Sequence, residues 1–433
     1  MKNILLLLSL VSCIYADRLS TLFDLRERME SWNGFNKKAY GDASIDAKGN
    51  KVGKSDDVIL LQRVMAGVEY KTQNVEYSLI MYDAREWGSS LSKDDFIKNK
   101  NTPYAYMQNP YVEHFELYDA SLTFKSLANI NNLSFKIGRQ DIVYGDKRII
   151  GPGGWGNSIG WLWDAGRFSY KFDGNFIDAW YGQTRTKDPD KFSMFEKHQY
   201  EGAVVYSHFQ TRAKGAIEPF YVYKHSLIPK LSSGEKSYKY MNYMGTRLYE
   251  KDYKGFIYDM TYVYESAKDG SKQINDYAYV VKGGYQLKQM QAKPKIMLGR
   301  VYASKDFTTP FGSTDGTHYG RMDLMSWSNM QDNQIALYLY PTSKIDTKFT
   351  YHDFSLADAN GKWAYYGYTN KSGYHDKKLG DEVDAELFYK PTEKIKISCI
   401  YAYFKAGPFV KHSVANNSAQ HLFLQFEYNI KNE

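Results

Sequence analysis

Charged side chains recur at every second position near the start of the chain. Arg26, Arg28 and Glu30 alternate with Leu25 and Met29. Successive side chains of a β-strand point to opposite faces, so this spacing predicts one charged and one apolar face. Guanidinium groups hold anions through paired hydrogen bonds. The charged face therefore predicts either a surface for anions or a polar wall whose charges pair with one another.

Other charged residues share this parity in their own segments. A cation facing lipid at mid-membrane depth costs roughly 2–4 kcal/mol, so we expect these side chains on a polar inner face. The set comprises Arg63, Asp83, Arg85, Arg167, Arg247 and Arg300. Carboxylates such as Glu382, Asp384 and Glu386 could neutralise them within the wall. Both roles stay open for the set, and pairing is favoured for any single residue.

A glycine-rich stretch follows a segment near 132–149 that we predict as one strand. Strict alternation places Arg139 with Leu133, Phe135 and Ile137 on the apolar face, which requires either a β-bulge or a different register. The glycines at 151, 153 and 154 indicate a sharp loop that could fold inward as a constriction. Its predicted pore or anchoring residues are Tyr144, Asp146, Arg148, Trp155 and Asn157.

A second long connection, residues 306–332, contains many aromatic and polar side chains. Tyr319, Asp323, Trp327 and Asn329 are its predicted anchors. So many anchors in one loop indicate an ordered lid or plug.

The elements that would position these residues are about eighteen two-faced segments. At the end of the chain Leu424, Phe426 and Tyr428 alternate with Gln425 and Glu427. The joints between segments alternate between tight turns and long polar loops, which is typical of an outer-membrane barrel and not of a soluble sandwich. The pattern predicts an all-β transmembrane antiparallel up-and-down β-barrel over residues 17–433, as one domain with outer-membrane lipid around it.

The first 16 residues predict a cleavable signal peptide, because Ile4 to Val11 form a short apolar core before the small residue Ala16. An alternative is a lipoprotein signal in which Cys13 is acylated. If Cys13 leaves with the leader, Cys399 is the only cysteine of the mature chain and no intrachain disulfide can form.

The overall composition excludes several classes. No later segment is long and apolar enough for a spanning helix. The formal charge is +7 over 433 residues without a concentrated basic stripe, so we expect no nucleic-acid partner. The nine histidines show no metal-ligand spacing, and we expect no metal and no cofactor.

These motifs resemble the alginate-export family of outer-membrane porins. The paired arginines with Glu30, the run from Gly138 through Arg148, and the loop from Tyr319 to Asn329 carry the resemblance. It implies an 18-stranded barrel whose pore passes an acidic polymer, with Arg26, Arg28, Arg139 and Arg148 as pore or loop-anchoring residues. Arg321 and Lys305 depart from the family pattern, as does the C-terminal Lys431-Asn432-Glu433, which weakens alginate as the cargo.

Three functions remain in competition. The favoured one is a channel for anionic or polar solutes: an exporter of acidic polysaccharide with periplasmic export partners, or an uptake porin for small organic acids. A barrel hydrolase is disfavoured, because His352 and Asp353 are neighbours on opposite faces of one strand. A surface-binding barrel would use loop aromatics such as Tyr104, Tyr106 and Tyr111.

Overall fold

The computed structural model describes a large part of the chain, and the predicted leader over 1–16, with Cys13, lies outside it. The described residues are 18–41, 49, 55–103, 105–107, 109–151, 157–159, 162–185, 192, 198–212, 214–227, 230–232, 235–237, 239–270, 272–312 and 316–432.

In this part of the chain, 18 strands form one antiparallel sheet in which each strand pairs with its neighbours in sequence and the last pairs with the first. They are β1 (Arg18–Asn33), β2 (Asp57–Lys71), β3 (Val75–Trp87), β4 (Glu113–Phe124), β5 (Leu133–Gln140), β6 (Trp163–Phe172), β7 (Asn175–Arg185), β8 (His198–Arg212), β9 (Gly215–Ser226), β10 (Lys239–Tyr253), β11 (Phe256–Asp269), β12 (Lys272–Gln286), β13 (Lys295–Ala303), β14 (Met330–Thr342), β15 (Ile345–Ser355), β16 (Lys378–Tyr389), β17 (Ile395–Ala406) and β18 (Ala419–Asn432). The predicted closed 18-stranded barrel is confirmed.

Closure depends on the pairing of β1 with β18. The register runs from Thr21 opposite Asn432 to Asn33 opposite Gln420. A closed barrel leaves no strand edge unpaired, so the backbone polar groups of a spanning strand are satisfied between strands. Among the described residues, none of the helices is long and apolar enough to cross a membrane.

The alternation read from the sequence appears along each strand as an outward apolar series and an inward polar series. On β18, Leu424 and Phe426 are exposed on the outside, whereas His421 and Gln425 are buried. On β13, Ile296 and Leu298 are exposed outward, and Val301 and Ala303 are buried inside. The outer wall therefore suits lipid and the inner wall suits water and loops.

Joint lengths depart from the prediction in two places. Strand β5 ends at Gln140 rather than near 149, because the chain leaves the sheet there and turns into the barrel. The joint between β11 and β12 lies on the side of the long loops, yet it spans only residues 270 and 271, with Gly270 at φ +61°. The alternation of tight and long joints is thus a strong tendency and not a strict rule.

The remaining regular structure belongs to the loops. One short helix, α1 (Pro408–Ser413), packs against the wall through Phe409 and Val410. Small two-stranded pairs occur between Ile97–Lys98 and Tyr106–Met107, between Lys230–Ser232 and Glu235–Ser237, and between Lys362–Trp363 and Tyr368–Thr369. The described parts of the long loops place buried aromatic side chains in the lumen, among them Phe311, Trp327 and Trp363, and Phe311 and Trp363 pack against Trp163 and Phe404 of the wall.

Candidate functional site: the cationic lumen

The inner wall formed by β1, β2 and β18 concentrates positive charge. Arg26 and Arg28 project inward from β1 and are 7% and 5% exposed. Arg26 lies directly opposite Arg63 of β2 in the ladder. Like charges directly opposite one another destabilise a sheet, so the Arg26–Arg63 pair lowers the stability of the wall. A pair that is unfavourable for stability indicates a role other than a structural one. Arg63 is partly compensated by Asp24, with Nη2 and Oδ1 3.8 Å apart.

Arg28 and Glu30 form the second part of this wall. Arg28 Nε lies 2.8 Å from Glu30 Oε1, and the guanidinium stacks 4.9 Å above the ring centre of Phe423. Glu30 also accepts a hydrogen bond from Trp32 Nε1 at 3.0 Å. Arg28 Nη2 is buried and has no hydrogen-bond acceptor among the residues that the structure describes. An unused buried donor of this kind marks a place where a bound anion or water would gain hydrogen bonds.

Between β5 and β6, the described residues 141–151, 157–159 and 162 fold into the barrel, and we call them the first inward loop. Tyr144 stacks on Tyr206 with ring centres 4.3 Å apart and donates a hydrogen bond to Asp178 at 2.7 Å. At the other end, Ile159 and Leu162 join a buried cluster on the wall. The loop is therefore attached to two different parts of the barrel wall.

Asn157 is the central attachment of the first inward loop. Its amide nitrogen lies 2.6 Å from the carbonyl oxygen of Gln62 and 2.9 Å from that of Arg85. A third carbonyl, that of Tyr111, is 3.1 Å away. Arg26 Nη2 donates to the Asn157 side-chain oxygen at 3.0 Å and to its backbone oxygen at 3.1 Å. One buried side chain thus ties the loop, the cationic wall and the neighbouring extracellular loop together.

Between β13 and β14, the described residues 304–312 and 316–329 form the second inward loop, which is joined to the first. Ile150 and Phe311 form a parallel backbone bridge. Phe311 N donates to Ile149 O at 3.0 Å, and Gly151 N donates to Phe311 O at 3.1 Å. Gly312 lies so close to the backbone that a Cβ there would be 1.7 Å from Arg148 O. The two loops consequently form one packed unit inside the barrel.

Arg148 holds this junction from within. Its Nε lies 3.2 Å from Asp146 Oδ2, and its Nη2 donates to His318 Nδ1 at 3.3 Å. The guanidinium also lies over the rings of Tyr319 and Trp327, 5.4 Å and 5.5 Å from their centres. Burial alone would raise the pKa of the Asp146 carboxyl, but the positive charge of Arg148 holds it well below its ordinary value. Arg148 and Asp146 are thus an ionised buried pair.

The predicted anchors of the second inward loop all make long-range contacts. Asp323 pairs with Lys37, and although burial disfavours a charged lysine, this carboxylate raises the pKa of Lys37 above its ordinary value. Trp327 Nε1 donates to Tyr302 O at 3.0 Å. Asn329 donates to the carbonyl oxygens of Asp358 and Lys362 at 3.2 Å and 3.0 Å. The prediction of an ordered insertion agrees with these contacts.

A row of carboxylates on β16 receives the tip of the same loop. Glu382 accepts a hydrogen bond from Met322 N at 2.8 Å, and Asp384 accepts one from Arg321 N at 3.1 Å. Glu386 pairs with the Arg321 side chain, with Nη2 and Oε2 2.5 Å apart. Gly320 has φ +88°, and a Cβ there would be 2.4 Å from Glu382 Oε1. The acidic row thus positions the loop rather than facing an open pore.

Between this loop and the β1–β18 wall lies a cavity of about 220 Å³, which we call the cationic cavity. Four cationic side chains and two carboxylates line it: Arg26, Arg28, Lys37 and Arg321, with Glu30 and Asp323. His421 also lines the cavity, and its Nε2 lies 3.6 Å from Glu30 Oε2. The surplus of positive charge in a confined, partly desolvated space favours anions.

Three further predicted lumen residues face inward and are paired. Arg167 lies 3.9 Å from Asp178, and Arg247 contacts Glu218 at 3.2 Å and Asp259 at 2.7 Å. Their positions are those predicted, and their partners show that they stabilise the wall. Arg63, described above, also faces inward.

The lumen prediction is wrong for Asp83, Arg85 and Arg300. Tyr82 and Ala84 are the buried, inward residues of β3, so Asp83 and Arg85 fall on the outward series, where Arg85 pairs with Asp83 at 2.6 Å. Arg300 follows exposed Leu298 on the outward series of β13. The parity of an isolated segment cannot be fixed when both faces carry polar residues near the strand end, and only the ladder decides it.

Arg139 keeps the register that strict alternation gives it, opposite Ala120 and Asp164, yet its side chain is buried. Gly138 has φ +118°, and the ladder between β4 and β5 ends at Ala120 and Arg139. Beyond it the sheet opens, and Arg139 lies buried there with Glu116 at 3.2 Å and Asp164 at 2.7 Å. The expected β-bulge or different register at this position is wrong, because both described ladders of β5 run through it without a shift; Arg139 is instead buried by its carboxylate partners at this opening.

One predicted site residue lies outside the described ranges, and two residues of the site were not predicted from the sequence. Trp155 lies outside the described residues. Lys37 was not predicted, because it sits in an irregular loop without periodicity, and Arg321 was noted only as a departure from the family pattern. Across the described ranges, groups of three or more His, Cys, Asp or Glu side chains suited to a metal ion are not found.

Comparison with known proteins agrees with this geometry. The family model described as alginate export matches residues 43–423. No curated protein matches the chain. Solved structures with the same fold include OccAB4 of Acinetobacter baumannii, with a TM-score of 0.59, 10% identity and coverage of 96% of this chain and 98% of that one. OprD of Pseudomonas aeruginosa has a TM-score of 0.57 at 10% identity, with coverage of 96% and 94%. OccK5 (OpdH) of the same organism has a TM-score of 0.58 at 9% identity, with coverage of 96% and 98%. The chain therefore belongs to the alginate-export family, and it is an outer-membrane channel.

Proposed function

We propose that the channel is selective for anions and that carboxylate solutes pass it through the cationic cavity. The observation that carries the proposal is the lining of that cavity, in which Arg26, Arg28, Lys37 and Arg321 outnumber Glu30 and Asp323. Arginine offers a planar fork of donors that matches a carboxylate. Arg28 Nη2, without an acceptor among the described side chains and backbone, supplies such donors.

The size of the cavity limits the solute. At about 220 Å³ it is smaller than the roughly 300–1,000 Å³ of typical drug-sized ligand sites. A small organic acid fits such a space, and a polysaccharide could pass it only as an extended chain, one residue at a time. The geometry thus supports small carboxylates first and an acidic polysaccharide such as alginate second.

The periplasmic mouth supports the same selectivity. A second cavity of about 660 Å³ lies at the tight turns after β14 and β16. Its lining includes four lysines, Lys344, Lys390, Lys394 and Lys396, against the three carboxylates of Asp24, Glu393 and Glu427. A mouth with surplus positive charge raises the local concentration of anions, whichever way they travel.

Reversal potentials in a planar bilayer with asymmetric KCl test the proposal. We expect the purified channel to prefer chloride over potassium, and Arg28→Gln to reduce this preference about fivefold. That factor corresponds to about 1 kcal/mol, the interaction of two unit charges about 4 Å apart in water. The matched control is Lys268→Gln, which removes one positive charge from the exposed outer series of β11. Cation preference in the unmodified channel would contradict the proposal.

The two solute classes can be separated in the same bilayer. Millimolar acetate or succinate and an alginate oligomer of about ten residues would be added to the periplasmic side in turn. Current block by the small acids, weakened in Arg28→Gln, supports small carboxylates. Block by the oligomer alone supports polymer export. Neither block, together with cation preference, would show that the cavity does not bind carboxylates.

A surface-binding role has less support from the loops. Tyr111, one of the aromatics predicted to be available outside, is buried between Trp32 and Phe96. Tyr104 lies outside the described residues. For a hydrolase, His352 faces the lumen, where it lies 3.0 Å from Asp332, while Asp353 belongs to the outward series and binds Lys378. His352 and Asp353 thus lie on opposite faces, as the sequence predicts.

A further inference from the structure

The outward surface of strands β13 to β17 changes from apolar to polar at a single row of paired residues. Leu298, Ile335 and Val383 are 59%, 54% and 50% exposed and belong to the apolar belt. The next outward positions toward the long loops are polar. The ladder pairs them in one continuous line, which we call the outer row: Arg300, Asn333, Asp353, Asp381 and Lys405.

Tyrosines mark the level of the outer row in the membrane. Tyr302 lies two residues beyond Arg300, opposite Tyr279 of β12, and the two rings stack with centres 5.2 Å apart. Tyr351 and Tyr403 lie two residues before Asp353 and Lys405 on the same outward series. Girdles of aromatic residues mark the boundary between hydrocarbon and headgroups in outer-membrane barrels. Since the second inward loop follows β13, this boundary is the one with the outer leaflet.

Arg300 stands out in the row because its partners are neutral. Its Nε donates to Tyr279 Oη at 3.3 Å, its Nη1 to Asn333 Oδ1 at 3.3 Å, and its Nη2 to Gln331 Oε1 at 3.2 Å. Among the described residues, carboxylates within ion-pair distance of Arg300 are lacking. Lys378, by contrast, bridges Asp353 and Asp381. Arg300 is thus an exposed, oriented and uncompensated positive charge that faces the bilayer.

The chemistry of the bilayer identifies what this charge meets. An arginine costs about 0–1 kcal/mol at the interface but more at depth, so its level next to the headgroups is energetically sensible. The guanidinium stays charged and matches phosphate through paired hydrogen bonds. We propose that Arg300, oriented by Tyr279, Asn333 and Gln331, binds the phosphate of a phosphorylated lipid in the outer leaflet. The binding site lies on the outer wall and is separate from the cationic cavity.

A titration of the detergent-purified full-length protein, read by native mass spectrometry, tests this site. The probes are bisphosphorylated lipid A and the same lipid after enzymatic removal of its phosphates. We expect the phosphorylated lipid to bind more tightly, and Arg300→Gln to weaken its binding about tenfold, which corresponds to about 1.4 kcal/mol. Arg300→Lys, which keeps the charge and loses the planar fork, is expected to lie between the two.

Controls separate lipid binding from folding and from subunit contact. Lys268→Gln removes an exposed outward cation that lies closer to the long loops than the outward tyrosines of β11. This variant should leave lipid binding unchanged. Heat-modifiable migration on gels verifies that each variant is a folded barrel. Equal binding of both lipids by the unmodified protein would overturn the proposal, as would equal affinity of Arg300→Gln. A loss of oligomers in Arg300→Gln without any loss of lipid would instead identify a contact with a second copy, and would also overturn it.

Discussion

Replacing Asn157 by alanine should release the first inward loop from the wall while leaving the barrel intact. The Asn157 amide group has two hydrogens, so it can satisfy two of the three carbonyls near it at one time. Two neutral hydrogen bonds contribute about 1 kcal/mol each, and the bond from Arg26 adds about 1.5–3 kcal/mol because its donor is charged. The alanine variant thus loses about 3.5–5 kcal/mol of local attachment.

Hydrogen exchange measures this loss directly. Asn157 N and Ser158 N both donate to Pro110 O, at 2.8 Å and 2.9 Å, so their exchange reports opening of the loop. A loss of 3.5 kcal/mol corresponds to roughly 300-fold faster exchange at these amides, since each 1.4 kcal/mol is about tenfold. Amides in the β17–β18 ladder should keep their protection, because no contact of Asn157 reaches them.

Asn329→Ala is the matched control in the second inward loop. Asn329 also donates to two carbonyls and accepts one hydrogen bond, from Asp358 N at 2.9 Å, but it has no contact with Arg26. This variant should accelerate exchange around residue 358 and leave Ser158 protected. Unchanged protection at Ser158 in Asn157→Ala would refute the reasoning, because the other contacts of the loop, such as the Tyr144–Asp178 hydrogen bond and the bridge to Phe311, would then hold it without Asn157.

Three further outcomes follow from the loop contacts. Gly320→Ala should displace the tip of the second inward loop and change single-channel conductance, since a Cβ would lie 2.4 Å from Glu382 Oε1; a conductance equal to that of the unmodified channel would contradict this contact. Asp146→Asn should lower the thermal stability strongly at pH 7 and by a smaller amount near pH 3. The folded pKa of Asp146 is depressed, so its contribution is complete above the unfolded value of about 3.9 and is lost as the pH falls toward the folded value; melting curves at both pH values test it. Arg148→Lys should lower the melting temperature because a lysine cannot stack on Trp327 and bind Asp146 together, and an unchanged melting temperature would show that charge alone suffices.

Sequence periodicity predicts the barrel well because each strand must present apolar side chains outward. The same rule locates Arg26 and Arg28 on the inner face, since their segment has a clearly apolar opposite face. It fails for Arg85 and Arg300, which lie where the outer surface itself becomes polar near the headgroups. There, a charged residue carries no information about which side is the lumen.

The arrangement of the inward loops lies beyond such local rules. Lys37 meets Asp323, and Asn157 meets Gln62, across separations of 286 and 95 residues. Irregular loops have no period that could indicate such partners, and a single sequence offers no covariation. The end of β5 could not be predicted either, because it depends on the φ of +118° at Gly138 and on where the chain turns into the lumen.

The backbone bridge between Ile150 and Phe311 has a consequence for opening. Since main-chain hydrogen bonds join the two inward loops at this bridge, neither loop can move out of the lumen by itself without breaking them. Widening of the passage is then an all-or-none event shared by both insertions, and recordings should show two discrete current levels instead of a graded staircase. A substitution at Gly312 that breaks this bridge should allow the two inward loops to move independently.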